Sequence, residues 1–300
     1  MTWVIGIDVG GSKIALGLVS PDDQILSRRR IDTDADEGVD VVTARISTQV
    51  DSLKRDLPPG ETIAGVGVGA PGLLDPVSGD LYMLVNLPGI SNTPFRAILQ
   101  EKLRLPVRLD HDAKVAALGE FHFGAGRERD SMVYIVVGTG VGAAIIYQGN
   151  LIYGESNSAG ESGHMTVDPN GRLCHCGSRG CLETYAGGPA LAKQYALASG
   201  VTVSGAEVTR RAAAGDAAAL LVLREAGRAL GIAIASIAMT LNIELFVIGG
   251  GVASAGDLFL DPARESLKDY CFESVAAKIK VTASALGEDA ALLGAAFLAR

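Results

Sequence analysis

Apolar stretches separated by glycine- and aspartate-containing turns predict that strands and helices alternate along the chain. The N-terminal part contains three such stretches, "WVIGID", "KIALGLVS" and "QILSRRRIDT", which predict three strands. Between about residues 38 and 56 the apolar positions change to helical spacing. They fall on one stripe, formed by Val42, Ile46, Val50 and Leu53. The pattern predicts an amphipathic helix after the third strand.

The alternation continues and then restarts. "TIAGVGVGAPG" and "PVRLDHD" predict strands, and "TPFRAILQEKLR" and "AKVAALGEFHFG" predict helices, so the first half reads βββαβαβα. After about residue 130, "SMVYIVVGTGVGAAIIYQGNLIYG" again predicts a strand, a glycine turn and a strand. Helices at about 189–199, 205–214, 216–241 and 259–268 follow, with "ELFVIGGG" and "IKVTAS" as strands and "DAALLGAAFLAR" as the closing helix. Two related halves indicate a duplicated α/β domain, in which ligands bind at strand ends and domain junctions.

Length and charge narrow the class of protein. Three hundred residues exceed the usual size of one hydrophobic core, so two domains are expected. The longest apolar run contains Asn242 and Glu244, which argues against a membrane span. The net charge of −8 argues against a nucleic-acid partner. Met1 leads directly into a strand-like sequence without a basic signal region, so we expect a cytoplasmic location.

Three of the four cysteines lie close to a histidine. His164, Cys174, Cys176 and Cys181 follow the pattern H-x9-C-x-C-x4-C, and three thiols with one imidazole complete a tetrahedral structural Zn²⁺ site. A disulfide is the alternative, but three clustered cysteines cannot all pair with one another. A reducing compartment also favours metal binding. We therefore expect a zinc-binding loop over residues 164–181, with a metal-free cysteine-rich loop as the simpler alternative and His175 as a solvated neighbour.

The turn "DVGGSK" has the composition of a phosphate-binding loop. Gly10 and Gly11 leave backbone N–H groups accessible, Ser12 adds a hydroxyl and Lys13 adds a positive charge. Asp8 precedes the turn and is a candidate Mg²⁺ ligand acting through water, because Mg²⁺ loses its hydration shell reluctantly.

Two further glycine turns occupy comparable places in the second half. Each turn taken alone is better explained as a tight hairpin that needs positive φ at glycine, but the three together indicate a nucleotide site. No Walker A or GxGxxG sequence follows the first strand, which disfavours P-loop and Rossmann folds. The residues concerned are Gly138, Thr139, Gly140, Gly249, Gly250 and Gly251.

Several of these motifs together resemble those of a known family. From about residue 3 to the end, the chain is similar to the bacterial ROK sugar kinases, which are glucokinase-like members of the actin and hexokinase superfamily. The motifs are "GIDVGGSKIALGLV", "GVGAPGLLD", "VNLPGI", "DHDAKVAALGE", "GTGVGAAII", "GESGHMTV", "CHCGSRGCLE" and "FVIGGGVASAG".

The resemblance implies a fold and a domain arrangement. The expected fold is the two-domain actin-like ATPase fold, a duplicated ribonuclease H-like α/β fold with an interdomain cleft. A small N-terminal α/β domain would span 1–115, rejoined by the C-terminal helix at about 288–300. A larger domain would span 116–287 and carry the zinc-binding loop.

The same resemblance implies an activity and its residues. The expected reaction is transfer of the γ-phosphoryl group of ATP, with Mg²⁺, to a hexose, foremost to the 6-hydroxyl of glucose. Asp112 would be the base toward the sugar hydroxyl, whereas an "HD" pair before a helix would otherwise be read as an N-cap. Zinc would be structural and would orient His164. Residues expected to bind the sugar are Gly72, Asn86, His111, Asp112, Glu161, His164 and Glu183.

Four positions depart from the family pattern. His111 and Lys114 stand where asparagines are common, Ile90 where tryptophan is common, and Ser12 where threonine is common. The imidazole of His111 would reach other sugar hydroxyls than an asparagine amide does. The alternative acceptors are therefore another hexose, a hexosamine, an N-acetylhexosamine and a cyclitol. We expect Lys114 to be solvated, with its stem along the helix.

Other functional classes remain as alternatives. ROK repressors carry a DNA-binding domain before the first strand, whereas that strand begins here at about residue 3. A sugar sensor without catalytic activity is disfavoured by the presence of Asp8, Asp112 and all three turns. A polyphosphate-dependent kinase would share every motif. The resemblance also implies a homodimer or homotetramer.

Overall fold

The computed structural model describes residues 2–75, 77–83 and 87–300. The chain forms two compact units. The first comprises Met1–Arg127, Tyr153–Ser158 and Glu288–Arg300, and the second comprises Glu128–Ile152 and Ala159–Gly287. The sequence predicts a domain boundary at residue 115, with 288–300 joined to the N-terminal domain. In the structure the first unit extends to Arg127 and also includes the segment 153–158.

The described residues form strands and helices in mixed order. The strands are β1 (Trp3–Val9), β2 (Lys13–Val19), β3 (Ile25–Asp32), β4 (Ile63–Ala70), β5 (Leu73–Asp75), β6 (Asp80–Met83), β7 (Val107–His111), β8 (Met132–Val137), β9 (Val141–Tyr147), β10 (Asn150–Leu151), β11 (Leu245–Gly249) and β12 (Lys280–Ala283). The helices are α1 (Val39–Lys54), α2 (Phe95–Leu103), α3 (Asp112–Phe123), α4 (Glu183–Ala186), α5 (Gly188–Ser199), α6 (Gly205–Ala213), α7 (Ala217–Leu241), α8 (Asp257–Tyr270), α9 (Glu273–Ala276) and α10 (Asp289–Leu298).

Each unit is built around a five-stranded sheet of the same topology. The first sheet has the order β3-β2-β1-β4-β7, and the second has the order β10-β9-β8-β11-β12. In both sheets the first three strands pair antiparallel, and the last two are added in parallel. The duplication that the repeated sequence pattern predicted is therefore confirmed.

The central strands are buried on both faces, as expected for sheets that helices cover on both sides. Six of the seven residues of β1 are buried, and β11 is buried along its whole length. On α1 the predicted stripe of Val42, Ile46, Val50 and Leu53 is fully buried in the core of the first unit. These contacts fix the strand ends from which the candidate site residues project.

The C-terminal helix α10 makes close backbone contacts within the first unit. A Cβ atom added at Gly67 of β4 would overlap the backbone of Ala295, and one added at Gly294 would overlap the carbonyl of Val115 in α3. Glycine is required at both positions because the backbones approach too closely for any side chain. Helix α10 thus packs directly against β4 and α3, which begins at Asp112.

Short elements were not predicted from the sequence. The two-stranded sheet β5-β6 and the four-residue helices α4 and α9 contain too few residues to show a hydrophobic period. Helix α8 starts at Asp257, two residues before the predicted start near 259. In the part of the chain that the structure describes, no helix combines the length and apolarity needed to span a bilayer.

Candidate active site

The junction of β7 and α3 places His111 and Asp112 side by side. His111 is the N-cap residue of α3, and its Nδ1 lies 3.0 Å from Asp112 Oδ1 and 3.3 Å from the Ala113 amide nitrogen. The Ala113 N–H also donates to Asp112 Oδ1 at 2.6 Å. Because a carboxylate only accepts, we assign the Nδ1 proton to the His111–Asp112 hydrogen bond and the Ala113 N–H to Asp112. The Asp112 carboxylate is therefore oriented by both groups.

These hydrogen bonds also keep Asp112 ionised. Burial raises the pKa of the Asp112 carboxyl, but the hydrogen bond and charge of His111 and the N–H of Ala113 outweigh it and hold this pKa below its ordinary value. The side chain remains 38% exposed. An ionised, oriented and accessible carboxylate can accept a proton from a hydroxyl group.

Asp8 has the opposite electrostatic character. Burial and then the charge of Asp112 raise the pKa of the Asp8 carboxyl to about 7, with Glu288 adding to the effect and Arg30 opposing it. The proximity of negative groups that makes ionisation costly also favours a bound cation. A carboxylate oxygen in this setting fits Mg²⁺, which prefers oxygen ligands.

The first glycine turn is held by Thr33, a residue that no sequence motif indicated. Thr33 is fully buried, its Oγ1 donates to the Gly10 carbonyl at 2.8 Å, and its N–H donates to the Ser12 carbonyl at 3.0 Å. Ser12 is exposed, and Lys13 forms an exposed ion pair with Asp32 at 2.9 Å. Such a surface pair is weak, so the Lys13 ammonium group is available to a phosphate.

The second and third turns each contain one glycine with open space beside it. A Cβ added at Gly138 or Gly251 would meet no atom within 4 Å, and neither residue has a positive φ. Neither the backbone conformation nor the packing therefore requires glycine at these two positions. Close approach of a ligand to the backbone would explain why glycine is present. Gly250 differs, because its φ of 86° itself favours glycine.

Glu183, at the start of α4, joins the second turn to the cysteine loop. Its Oε2 accepts a hydrogen bond from the Val141 N–H at 2.9 Å, and its Oε1 lies 3.3 Å from His175 Nδ1. His175 is exposed, as expected, but it also contacts Glu183, which the sequence did not indicate. Glu161 is exposed and precedes the short 3₁₀ helix Ser162–His164, so this loop carries two of the predicted sugar-binding residues.

The four predicted zinc ligands converge. Their donor atoms all lie within 4.8 Å of one another. The sulfurs of Cys176 and Cys181 are 3.7 Å apart, as are Cys174 Sγ and His164 Nδ1. The edges of a tetrahedron around zinc with bonds of about 2.0–2.3 Å measure roughly 3.5–3.8 Å, so the set fits Zn²⁺. The same distance is far too long for an S–S bond.

The remaining predicted residues are distributed over the chain as follows. Gly72 lies in the two-residue connection between β4 and β5, with a φ of 84°. Asn86 lies outside the described residues. The first unit carries Asp8, the first turn, Gly72, His111 and Asp112, and the second unit carries the other two turns, Glu161, Glu183 and the cysteine loop.

The prediction that Lys114 is solvated is wrong. Its side chain is only 4% exposed, because Tyr153 and Asn157 cover the face of α3 from which it projects. This contact could not be predicted from the sequence, because the segment that covers Lys114 lies about forty positions further along the chain and has no distinctive motif.

Comparison with known proteins extends these observations. The sequence profile of the ROK family matches residues 4–300. A glucokinase of Halalkalibacterium halodurans is 36% identical over 99% of this chain and 95% of that protein, and one of Thermotoga maritima is 36% identical over 98% and 96%. The crystal structure of a ROK family glucokinase from Streptomyces griseus in complex with glucose and AMPPNP has a TM-score of 0.84 and 34% identity, and 99% of each chain is covered. These similarities confirm the two-domain actin-like fold.

Proposed function

This chain belongs to the ROK family, and from that premise we propose that it is an ATP-dependent hexose kinase acting on glucose. It is a phosphotransferase of the hexokinase and glucokinase type, and the nucleophile is the 6-hydroxyl of the sugar. The glucose and AMPPNP complex of the Streptomyces griseus relative supports both the acceptor and the donor.

The observation that carries this proposal is the Asp112 carboxylate, which is ionised, oriented and accessible at the start of α3. Asp112 accepts the proton of the sugar hydroxyl while the hydroxyl oxygen forms a bond to the γ-phosphorus of ATP. The bond between that phosphorus and the β–γ bridging oxygen breaks, and ADP leaves with the electron pair. Phosphoryl transfer needs orientation and charge stabilisation more than covalent help, so one positioned base suffices.

The glycine turns and Asp8 serve the nucleotide. The Gly10 and Gly138 N–H groups donate to the Lys13 and Gly140 carbonyls at 2.9 Å, so these two amides hold their turns together. The other amides of the turns 10–13, 138–140 and 249–251, with a hydroxyl and the Lys13 ammonium group, serve the phosphates. Asp8 would hold Mg²⁺, which when bound neutralises charge on the transferred group. Binding of a cation also favours the ionised form of Asp8, whose pKa is otherwise raised.

The sugar is bound by His111, Glu161, His164 and Glu183, together with the Gly72 turn and Asn86. Zinc at the Cys/His cluster would order the loop that carries His164. It would not activate water, because His164, Cys174, Cys176 and Cys181 would supply four protein ligands. The net charge of −8 supports small-molecule partners over nucleic acid. A homodimer or homotetramer and a cytoplasmic location remain predictions.

The proposal is tested by measuring ADP release with glucose, other hexoses, hexosamines, N-acetylhexosamines and cyclitols, with ATP or polyphosphate as donor. We expect the highest kcat/KM with glucose and ATP. A higher kcat/KM with another acceptor would replace glucose as the proposed substrate, and a higher kcat/KM with polyphosphate would replace ATP as the proposed donor. Either result would still support a sugar kinase. The absence of sugar-dependent ADP release would contradict the proposed function.

A further inference from the structure

Two buried charged residues flank the His111–Asp112 pair. Asp110, at the end of β7, is 1% exposed, and its Oδ2 accepts a hydrogen bond from the Tyr153 hydroxyl at 2.6 Å. Lys114, in the first turn of α3, donates from Nζ to the Asn157 carbonyl at 2.8 Å, and the same Nζ lies 4.7 Å from the centre of the Tyr153 ring. Tyr153 therefore contacts both charged side chains, one through its hydroxyl and the other through its ring face.

Both contacts hold the segment 153–158, which belongs to a different unit from the residues on either side of it. The residues before and after this segment belong to the second unit, whereas the segment itself belongs to the first. Glu155 and Ser156 in its middle are exposed, and Asn157 adopts a left-handed conformation with a φ of 59°. An exposed segment with little core of its own depends on such contacts for its position.

The contacts are energetically linked. Burial raises the pKa of the Asp110 carboxyl, and the Tyr153 hydroxyl, the His111 N–H and the charge of Lys114 oppose this rise. Burial and the bond to Asp110 raise the pKa of Tyr153, so its hydroxyl stays protonated and able to donate. Removal of either Lys114 or the Tyr153 hydroxyl leaves a buried carboxylate with less compensation, which is costly.

We propose that Asp110, Lys114 and Tyr153 form a clasp that fastens the segment 153–158 to the base-bearing helix α3, and that Lys114 is thereby a positioning residue for sugar binding. Glu161 and His164 follow Ser158 by three and six positions, so the clasp fixes the start of the loop that carries them. The role in sugar binding rests on the proposed function, whereas the clasp itself does not. Neither Lys114 nor Tyr153 needs to touch the sugar for this effect.

The clasp is tested without any activity measurement by hydrogen exchange of the amides of Ile152 and His164, which lie on either side of the segment and donate to the Ile145 and Glu161 carbonyls at 2.9 and 3.0 Å. We compare the wild-type chain with Lys114→Met, which keeps the length of the side chain, and Tyr153→Phe, which keeps the ring. Both variants should exchange at least about tenfold faster at these two amides, because release of the segment makes the opening of its flanks less costly. Lys54→Met, which alters a partly exposed lysine of α1 in the same unit, should leave the segment unchanged. Unchanged exchange in both clasp variants would overturn the proposal.

Steady-state kinetics test the positioning role. Lys114→Met should raise the sugar KM about fivefold or more, while the ATP KM and kcat change less than about twofold. The reason is that the variant binds the sugar less tightly in the ground state and in the transition state alike. Tyr153→Phe should act in the same direction, and the double variant should lose less than the product of the two single effects because both act through one clasp. Equal loss of kcat and of binding for both substrates would overturn the positioning role. A wild-type chain without sugar-dependent turnover would instead contradict the proposed function, and the exchange experiment would still decide whether the clasp exists.

Discussion

Replacement of Asp8 by asparagine should stabilise the first unit above neutral pH while weakening the binding of magnesium and nucleotide. Burial and the charge of Asp112 raise the pKa of Asp8 from 3.8 to about 7. A carboxyl whose pKa is higher in the folded protein binds its proton more tightly there, so the folded state loses stability as the pH rises from about 4 to 7. Above pH 7 the loss is constant. Asparagine cannot ionise and does not show this loss.

The magnitude follows from the size of the shift. Each pKa unit corresponds to about 1.4 kcal/mol, so the roughly three units at Asp8 give an upper limit of about 4 kcal/mol. Between pH 5 and pH 8 the folded state loses stability equivalent to about two of these three pKa units. The free energy of unfolding of Asp8→Asn should therefore rise by about 2 to 3 kcal/mol relative to the wild type over this interval.

The assay is urea unfolding at pH 5 and pH 8 without Mg²⁺, followed by tryptophan fluorescence. Trp3 is the single tryptophan of the chain and lies in β1 with Asp8, so it reports the first unit even where the two units unfold separately. Asp32→Asn is the control. The hydrogen bond and charge of Lys13 lower the pKa of Asp32, so its ionisation does not change between these pH values. Parallel behaviour of Asp8→Asn and the wild type at the two pH values would refute the reasoning.

Four further predictions address the metal, the sugar and two of the glycines. Purified protein should hold one zinc ion per chain, and Cys176→Ala should lose the metal and melt at a lower temperature; elemental analysis of chelator-free protein without zinc would contradict this. His111→Asn should raise the ratio of kcat/KM for glucose to kcat/KM for other sugars, by a factor that corresponds to about 1 to 3 kcal/mol of transition-state free energy. Parallel losses of kcat/KM on all sugars would mean that His111 only supports Asp112. Gly294→Ala should destabilise the first unit by about 2 kcal/mol or more in urea unfolding, because its Cβ overlaps the Val115 carbonyl. Gly138→Ala should keep its stability and lose nucleotide affinity in calorimetry, and the reverse pattern would exclude a ligand beside this turn.

Long periodic elements and local motifs could be predicted from the sequence. The stripe on α1 and the glycine-turned strand pairs β1-β2 and β8-β9 rest on residues that are close in the chain, and the structure places them as expected. The four groups of the zinc set also converge as predicted, because fewer than twenty residues separate the first ligand from the last.

The features that could not be predicted depend on contacts between distant parts of the chain. Thr33 fastens a turn that lies more than twenty residues before it, and Tyr153 reaches Asp110 across forty-three positions. Neither residue belongs to a periodic pattern or a known turn type. The sequence predicts Lys114 in solvent with its stem along the helix, whereas contacts with the segment 153–158 help to bury it.

The central claim is that Asp112 acts as the base in phosphoryl transfer from ATP to glucose, and product analysis tests it most directly. Phosphorus NMR of wild-type reactions should show glucose 6-phosphate and ADP forming in equal amounts. Asp112→Asn should still bind ATP and glucose in calorimetry while its turnover falls by about two to four orders of magnitude. Turnover of Asp112→Asn within a few-fold of the wild type, or free phosphate in place of the sugar phosphate, would contradict the account.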